Sequence, residues 1–445
     1  MQERDSFNSQ FGLTIAVIAS AVGLGNIWRF PYLVGENGGA AFILIYLIFI
    51  LLIGIPLVVA EITVGRRIKQ NAVATFRKLG ADSFLSKAGY LQVIVSFTIL
   101  SFYCVVGGWA IFYFYKSITF SLNNLSSTEL QELFVNFAGS PVDPIVSVLI
   151  FMLITALIVL GGIKNGIEKS SKILMPVFFG LIIVLMIRTL TLEGAYEGIE
   201  FLIKPDFSKI DSSVILIALG QTLFSLSIGC GILTYGSYMR KQDNIIKSTK
   251  WVVFSDTMIA LFAVLAIIPA VFVFGFEPTE GPGLVFIVLP EIFAQIIGGS
   301  FLQILFFFSL IIAAVTSAIC MLETMVTYAI EEWKISRKTA TIFSTVITTT
   351  IGCFCSLSFN ENSSFIFFDK TLFDIMSDGS SNILLPLSAA AVALLIGWKM
   401  KKVDVIDEIS NSGTIKNHII SFCLFLLKYV VPFAMLIVLL SGLLF

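Results

Sequence analysis

The chain carries a succession of apolar runs, each about as long as a bilayer's hydrocarbon core is thick, and this limits its fold more than any other feature. About 20 residues of helix rise about 30 Å, the depth of that core. Such runs lie, to within a few residues, at 11–34, 40–64, 86–115, 143–162, 171–190, 212–238, 250–275, 300–329, 339–357, 379–398 and 420–444. In hydrocarbon every backbone N–H and C=O must be satisfied within the protein, which leaves helices and closed barrels. A barrel needs short segments of alternating polarity, and these runs are continuous. The expected fold is an all-α integral membrane protein with eleven transmembrane helices. Composition agrees: 57% of residues are hydrophobic and 13% charged, against roughly 25% charged in soluble domains.

Lys and Arg concentrate in the connectors near 62–88, 164–172, 239–250, 334–338 and 399–416, with Arg4 on the same side. The positive-inside rule then makes residues 1–10 cytoplasmic and places the chain in the plasma (inner) membrane with Phe445 outside. The first run lacks a cleavage pattern and reads as a span, not a signal peptide. Residues 191–211 and 275–299 are long external connectors. The apolar stretch 284–297 is too short to span and is expected to be a surface helix or a re-entrant lid. One membrane domain, 1–445, is the simple organisation.

Several function classes are disfavoured. A net charge of -1 without a basic arm speaks against nucleic acid. The six cysteines, at 104, 230, 320, 353, 355 and 423, lie in apolar stretches without metal-ligand spacing. One histidine, His418, leaves little for histidine-based catalysis, and no enzyme is expected.

Two spans are interrupted. The first reads Ser20-Ala-Val-Gly-Leu-Gly-Asn26 before Ile27-Trp-Arg-Phe-Pro31, and the sixth reads Ser225-Leu-Ser-Ile-Gly-Cys-Gly231. Glycine costs up to about 1 kcal/mol in a helix interior and lets the backbone leave helical geometry. Either segment alone reads as close helix packing through small residues. Together they occupy positions 1 and 6, as if five-helix halves were duplicated (11–190 and 212–398, with 420–444 as an eleventh helix). Paired broken helices point to a transporter's central site, where half-helix N-termini attract carboxylates and freed carbonyls hold cations. Arg29, within the first span, either guards an outer vestibule or snorkels to the interface.

These residues carry a resemblance. Ser20 to Tyr32 (SAVGLGNIWRFPY), Glu36 to Ala40 (ENGGA), Gly220 to Ser227 (GQTLFSLS), Thr234 to Tyr238 (TYGSY), Ala313 to Ser317 (AAVTS) and Ser336 to Lys338 (SRK) resemble the neurotransmitter:sodium symporters over nearly the whole chain. The family usually has twelve helices; eleven are read here, as in some bacterial amino-acid transporters. The resemblance implies a 5+5 inverted repeat and two sodium sites. One site would use the carbonyls of Ala19, Val22 and Ala313 and the hydroxyls of Thr316 and Ser317. Without the resemblance those hydroxyls equally read as back-bonded to their own helix. The other would use the Ala21 carbonyl, Asn26, Ser225 and a group on the seventh helix, whose one acid is Asp256. Animal relatives place chloride beside that site. Here Tyr46, Gln221 and Ser225 keep the polar frame and Asp256 supplies the charge, so no chloride is expected.

By the same resemblance Tyr103 binds the substrate carboxylate, though a span tyrosine also serves as an interface anchor. Gly23 stands where monoamine carriers have an acid, which favours a substrate bringing its own carboxylate: a small amino acid. The implied pocket is Ser20, Ala21, Leu24, Gly25, Ile99, Tyr103, Val106, Phe224, Ser225, Ser227, Cys230, Ser317, Ala318 and Met321. Cys230 replaces a Phe of some relatives and Ala318 is small, which suggests a bulky hydrophobic or aromatic L-amino acid.

The implied outer gate is Arg29 with an acid of the tenth helix, Asp374 or Asp378; the aligned gate position itself is Ser377. The implied inner gate is Arg4 and Phe7 with Glu331, Tyr238 and Ser237. Gly166 and Pro176 bracket nine residues that resemble a segment whose unwinding wets the second sodium site; proline and glycine also mark ordinary helix starts. Sodium-coupled symport by alternating access is the expected activity. The rivals are a channel, which needs a continuous polar pore, and a membrane sensor that binds sodium and amino acid without moving them. Partners beyond lipid and substrate, including oligomer state, are not legible.

Overall fold

A computed structural model describes residues 6–444 except 81–82, 124, 277–282, 361–362, 364, 368, 412 and 414–416. Arg4 of the expected inner gate lies outside the described residues. Nine described helices are long and apolar enough to cross a membrane unaided, and a bent pair makes a tenth. The nine are Ala40–Ile68, Phe84–Ile118, Asp143–Leu160, Gly162–Leu190, Ile245–Val273, Gly299–Trp333, Arg337–Leu357, Leu372–Lys399 and Ile420–Gly442; the pair is Gln10–Ala21 with Gly25–Glu36, bent by 47°.

The expected sixth span is two short helices, Ser212–Ser225 and Ile232–Ser237, with 226–231 unwound between them. The stretch expected as a surface helix or lid is a helix, Leu284–Gln295, but its apolar side is buried: Leu284, Val285, Phe286, Leu289, Ile292 and Phe293 all face inward. Its length forbids spanning, so it buries this face against protein, with Phe286 among the rings of Trp109, Phe134 and Phe307. A two-stranded antiparallel pair, Ile366–Phe367 with Lys370–Thr371, precedes the tenth span.

The ends of the helices follow their capping residues. Asp211, Asn244 and Ser336 each accept a backbone N–H of the first turn they precede. Lipid removes the usual hydrophobic drive between spans, so close packing and hydrogen bonds join them. Gly236 exemplifies this: a Cβ there would lie 2.8 Å from Ile62 Cα of the second span. In the most apolar 18-residue stretch of each span, 78% of the residues are buried in the third and the eighth, against 28% in the fifth and 33% in the eleventh. They are central, and both broken spans pack against them.

A central site between two broken spans

In the first span the helical ladder stops at Ala21; Val22 is extended, with ψ 104°, and the chain resumes as a π-helical turn at Gly25. In the sixth span Ser227 has φ +52° and Gly229 φ +83°. A left-handed serine is strained and persists only where its surroundings hold it. Here its Oγ donates to the Ser20 carbonyl at 2.7 Å, across from one unwound segment to the other.

The unwound part of the sixth span is pinned from several sides. Glu61, fully buried on the second span, accepts the Gly229 N–H at 2.6 Å and the Leu233 N–H at 3.2 Å. Ser388 donates to the Gly229 carbonyl at 2.9 Å. The Cys230 carbonyl accepts from Ser96 of the third span and, at 3.1 Å, from Thr324 of the eighth. Glu61→Ala strands two buried donors, each costing about 1–3 kcal/mol. A clear fall in the thermal midpoint of the solubilised protein is expected, with Glu61→Gln, which keeps one acceptor, falling less.

A cavity opens between these breaks, lined by Ala21, Gly23, Gly25, Ile99, Tyr103, Phe224, Ser227, Cys230, Ser317, Met321 and Leu385. Nine of these were expected from the sequence. Ser20, Leu24, Val106, Ser225 and Ala318, also expected, are buried but do not line it. Ser20 turns its hydroxyl back to the Val17 carbonyl at 2.9 Å and offers its own carbonyl instead. Ser225 faces Asp256. Leu385 was missed: it sits in an apolar run of the tenth span, with nothing local to set it apart. Tyr103 Oη accepts the Leu24 N–H at 3.1 Å, and a Cβ on Gly23 would lie 2.9 Å from that oxygen.

Oxygens gather on both sides of the first break. Thr316 Oγ1 lies 3.5 Å from the Val22 carbonyl and 3.1 Å from that of Ala313, and Ser317 Oγ lies 3.4 Å from Val22 and 3.2 Å from Ser20. Ala19 is buried on the same turn. Such hydroxyls and carbonyls, without nitrogen or sulfur, suit a hard cation. Thr316 also back-bonds to Ile312 at 3.0 Å, so the plain helical role is present as well.

On the other side, Asn26 Nδ2 donates to Asp256 Oδ1 at 2.8 Å, and Ser225 Oγ donates to Asp256 Oδ2 at 2.9 Å. Tyr46 Oη approaches the same carboxylate at 3.5 Å. Asp256 is wholly buried. Asn26 Oδ1 accepts the Gly23 N–H at 3.1 Å, and Gln221 holds the Gly25 carbonyl at 3.0 Å.

The expected outer gate partners are corrected. Asp374 closes a capping box with Thr371, whose hydroxyl it accepts at 2.6 Å, so its short side chain is used by its own helix. Asp378 faces Lys370 at 2.8 Å on an exposed surface. Arg29 pairs with neither; its guanidinium lies over the Phe224 ring, 4.9 Å from the centroid, and Nη1 has no hydrogen-bond partner among the described residues. A Cβ on Gly25 would meet that ring at 3.0 Å. Arg29 thus covers the cavity through an aromatic face.

At the expected inner gate Phe7 packs edge-on against Tyr235 and Tyr238 at 5.9 and 6.3 Å. Tyr238 donates to Glu323 at 2.7 Å, and Glu323 is paired with Arg337. Glu331 accepts two N–H bonds from Asn71, at 2.7 and 3.0 Å, and Ser237 turns to Thr234. Glu61 and Glu323 were not singled out from the sequence, although an acid inside an apolar span is itself a signal.

The chain matches the sodium:neurotransmitter symporter family over residues 4–134 and 129–444. It is 39% identical over 434 residues to the uncharacterised sodium-dependent transporter YhdH of Bacillus subtilis, covering 97% of this chain and 96% of that one. An uncharacterised sodium-dependent transporter of Haemophilus influenzae is 36% identical, with 99% of each covered. The crystal structure of MhsT in complex with L-phenylalanine superposes with a TM-score of 0.92 at 41% identity, over 99% of this chain and all of that one. With two broken spans around a central cavity, and agreement along its whole length, this multi-pass membrane protein belongs to the sodium:neurotransmitter symporter family.

Proposed function

We propose that the protein drives a bulky hydrophobic or aromatic L-amino acid into the cell with two sodium ions, by alternating access and without chloride. The observation that carries this reading is the placement of the wholly buried Asp256 carboxylate against Asn26 and Ser225, beside the break that lines the cavity. It supports a fixed negative charge beside the proposed sodium site. The substrate carboxylate would meet Tyr103 and the N-terminus of the outer half of the first span, at Gly25. Sodium and substrate, carrying opposite charges in a poorly hydrated site, then stabilise each other, and this is the coupling.

The cavity wall of Ile99, Phe224, Cys230, Met321 and Leu385 is apolar, as ligand sites tend to be. That MhsT was crystallised with L-phenylalanine supports an aromatic substrate here. The proposed topology is eleven spans in a 5+5 inverted repeat plus one, the sixth formed by Ser212–Ser225 and Ile232–Ser237, with the N-terminus cytoplasmic in the plasma membrane.

The direct test is uptake of radiolabelled L-phenylalanine into proteoliposomes under an inward sodium gradient, against potassium or choline, with chloride exchanged for gluconate. Accumulation that needs sodium and survives gluconate supports the reading; binding without accumulation favours the sensor, and uptake indifferent to sodium removes the symport. Thr316→Val with Ser317→Ala removes two oxygens from the first cation site. Half-saturating sodium is expected to rise about tenfold, equivalent to about 1.4 kcal/mol, with maximal uptake less affected.

A further inference from the structure

Arg66, in the last turn of the second span, is 2% exposed, and all three of its guanidinium nitrogens donate. Nε meets Glu408 Oε1 at 2.5 Å, and Nη2 donates to the Glu408 carbonyl. Nη1 donates to Asn411 Oδ1 at 2.8 Å and to the Asp243 carbonyl at 2.6 Å. A charge this deep persists only when paired and hydrogen-bonded, and arginine's planar fork serves several acceptors at once. None of these groups belongs to the central site.

The acceptors come from two separate connectors. Glu408 and Asn411 end the helix Lys402–Ser410, which lies between the tenth and eleventh spans. The last carbonyls of a helix lack partners within it, and a cation beside them is favoured. Arg66 is therefore the cap of this helix, supplied from another span. Asn411 turns left-handed there, with φ +47°, and its Nδ2 donates to the Asp243 carbonyl at 3.1 Å. Val405 and Ile409 of the same helix are buried. Asp243 lies between the sixth and seventh spans, and Arg240 holds its carboxylate at 2.7 Å, which fixes the carbonyl it presents. The second span also touches the sixth at this point. A Cβ on Gly65 would overlap the Leu233 carbonyl oxygen and lie 2.8 Å from Ser237 N. The neighbouring pair, Arg67 with Asp404 at 3.2 Å, is partly exposed on both sides and adds little.

We propose that Arg66 makes helix Lys402–Ser410 a strap fastened to the second and sixth spans, so that this connector stays with those two spans throughout transport. The inference rests on the alternating-access reading for its part in transport, whereas the clamp itself is a property of the fold. Opening the clamp would leave a buried guanidinium without its acceptors, so the strap is carried and not released. Salt, which screens exposed pairs, reaches this one little.

The test is hydrogen–deuterium exchange on the full chain in lipid nanodiscs, following peptides that cover residues 400–411 and 238–246. Arg66→Lys keeps the charge and loses the fork. It is expected to speed exchange roughly tenfold in both segments, the loss of one charge-assisted bond. Glu408→Gln keeps both oxygens and is expected to cost about threefold at most. Arg67→Ala should change neither segment appreciably. Acceleration of 400–411 alone, or an equal effect from Arg67→Ala, would reduce Arg66 to an ordinary cap and overturn the proposal. Should Arg66→Lys not fold, Asn411→Gly, which keeps the left-handed turn and removes the amide, carries the same comparison. A second arm exchanges sodium for potassium in the parent protein. The two broken spans are expected to change their exchange, while 400–411 stays as protected as before. Opening of 400–411 in potassium would make the strap a latch and overturn the proposal. Broken spans indifferent to the ion would count against the sodium sites, and the variants would still decide the clamp.

Discussion

Asp256→Ser is expected to lose sodium-driven uptake in gluconate and to regain part of it when chloride is supplied. The carboxylate is wholly buried and takes donors from Asn26, Ser225 and Tyr46. Its removal leaves three donors aimed at one small volume and leaves the sodium charge without its fixed counter-charge. Breaking such a buried arrangement costs about 3–5 kcal/mol, enough to reduce uptake at least about 100-fold. A mobile anion entering the same donors restores the charge balance. Initial rates in matched chloride and gluconate media, at saturating sodium, measure both effects. Uptake by the variant that equals the parent in gluconate would remove Asp256 from the charge argument.

Gly23→Ala is expected to weaken substrate binding by about 100-fold or more, on the order of 2.7 kcal/mol. The added methyl overlaps Ser317 Oγ and lies 2.9 Å from Tyr103 Oη. One substitution therefore disturbs a proposed sodium ligand and the proposed carboxylate ligand at once. Half-saturating sodium and the substrate Kd should rise together, and binding of radiolabelled L-phenylalanine across a sodium titration measures both. Alanine at Gly180 or Gly220, where no atom lies within 4 Å of the added carbon, serves as the control and should change neither appreciably. A Gly23→Ala protein that binds as the parent does would place the substrate elsewhere.

The breaks in the first and sixth spans were legible as a pair at corresponding positions: glycine in an apolar helix is a local cost that needs a local reason, and either segment alone reads as close packing. Gly23 and Gly229 show two such reasons, the first a close approach by Tyr103 and the second a φ of +83°. The convergence of Thr316, Ser317 and Val22 was legible only through family resemblance, since the hydroxyls alone read as back-bonded, and Thr316 does also back-bond. The partner of Arg29 was misread for a physical reason. Asp374 and Asp378 lie at plausible distances along the chain, but one is used as a helix cap and the other stands beside Lys370. Capping and surface pairing are settled by side-chain direction, which sequence spacing does not give. Leu385 and Glu61 show the two remaining kinds of omission: an apolar residue distinguished from its neighbours only by the face it turns, and a carboxylate whose partners are backbone groups.

Cys230 separates two duties within one residue. Its carbonyl is held by Ser96 and Thr324, while its side chain contributes to the cavity wall. Anchorage of the unwound segment therefore rests mainly on that carbonyl, to which the side chain adds one bond, from Sγ to the Ser227 carbonyl at 3.2 Å. On the proposed reading, exchange of that side chain alters the pocket wall and costs the framework that single bond. On the same reading, closely related carriers that share every helix are expected to part company at position 230 first.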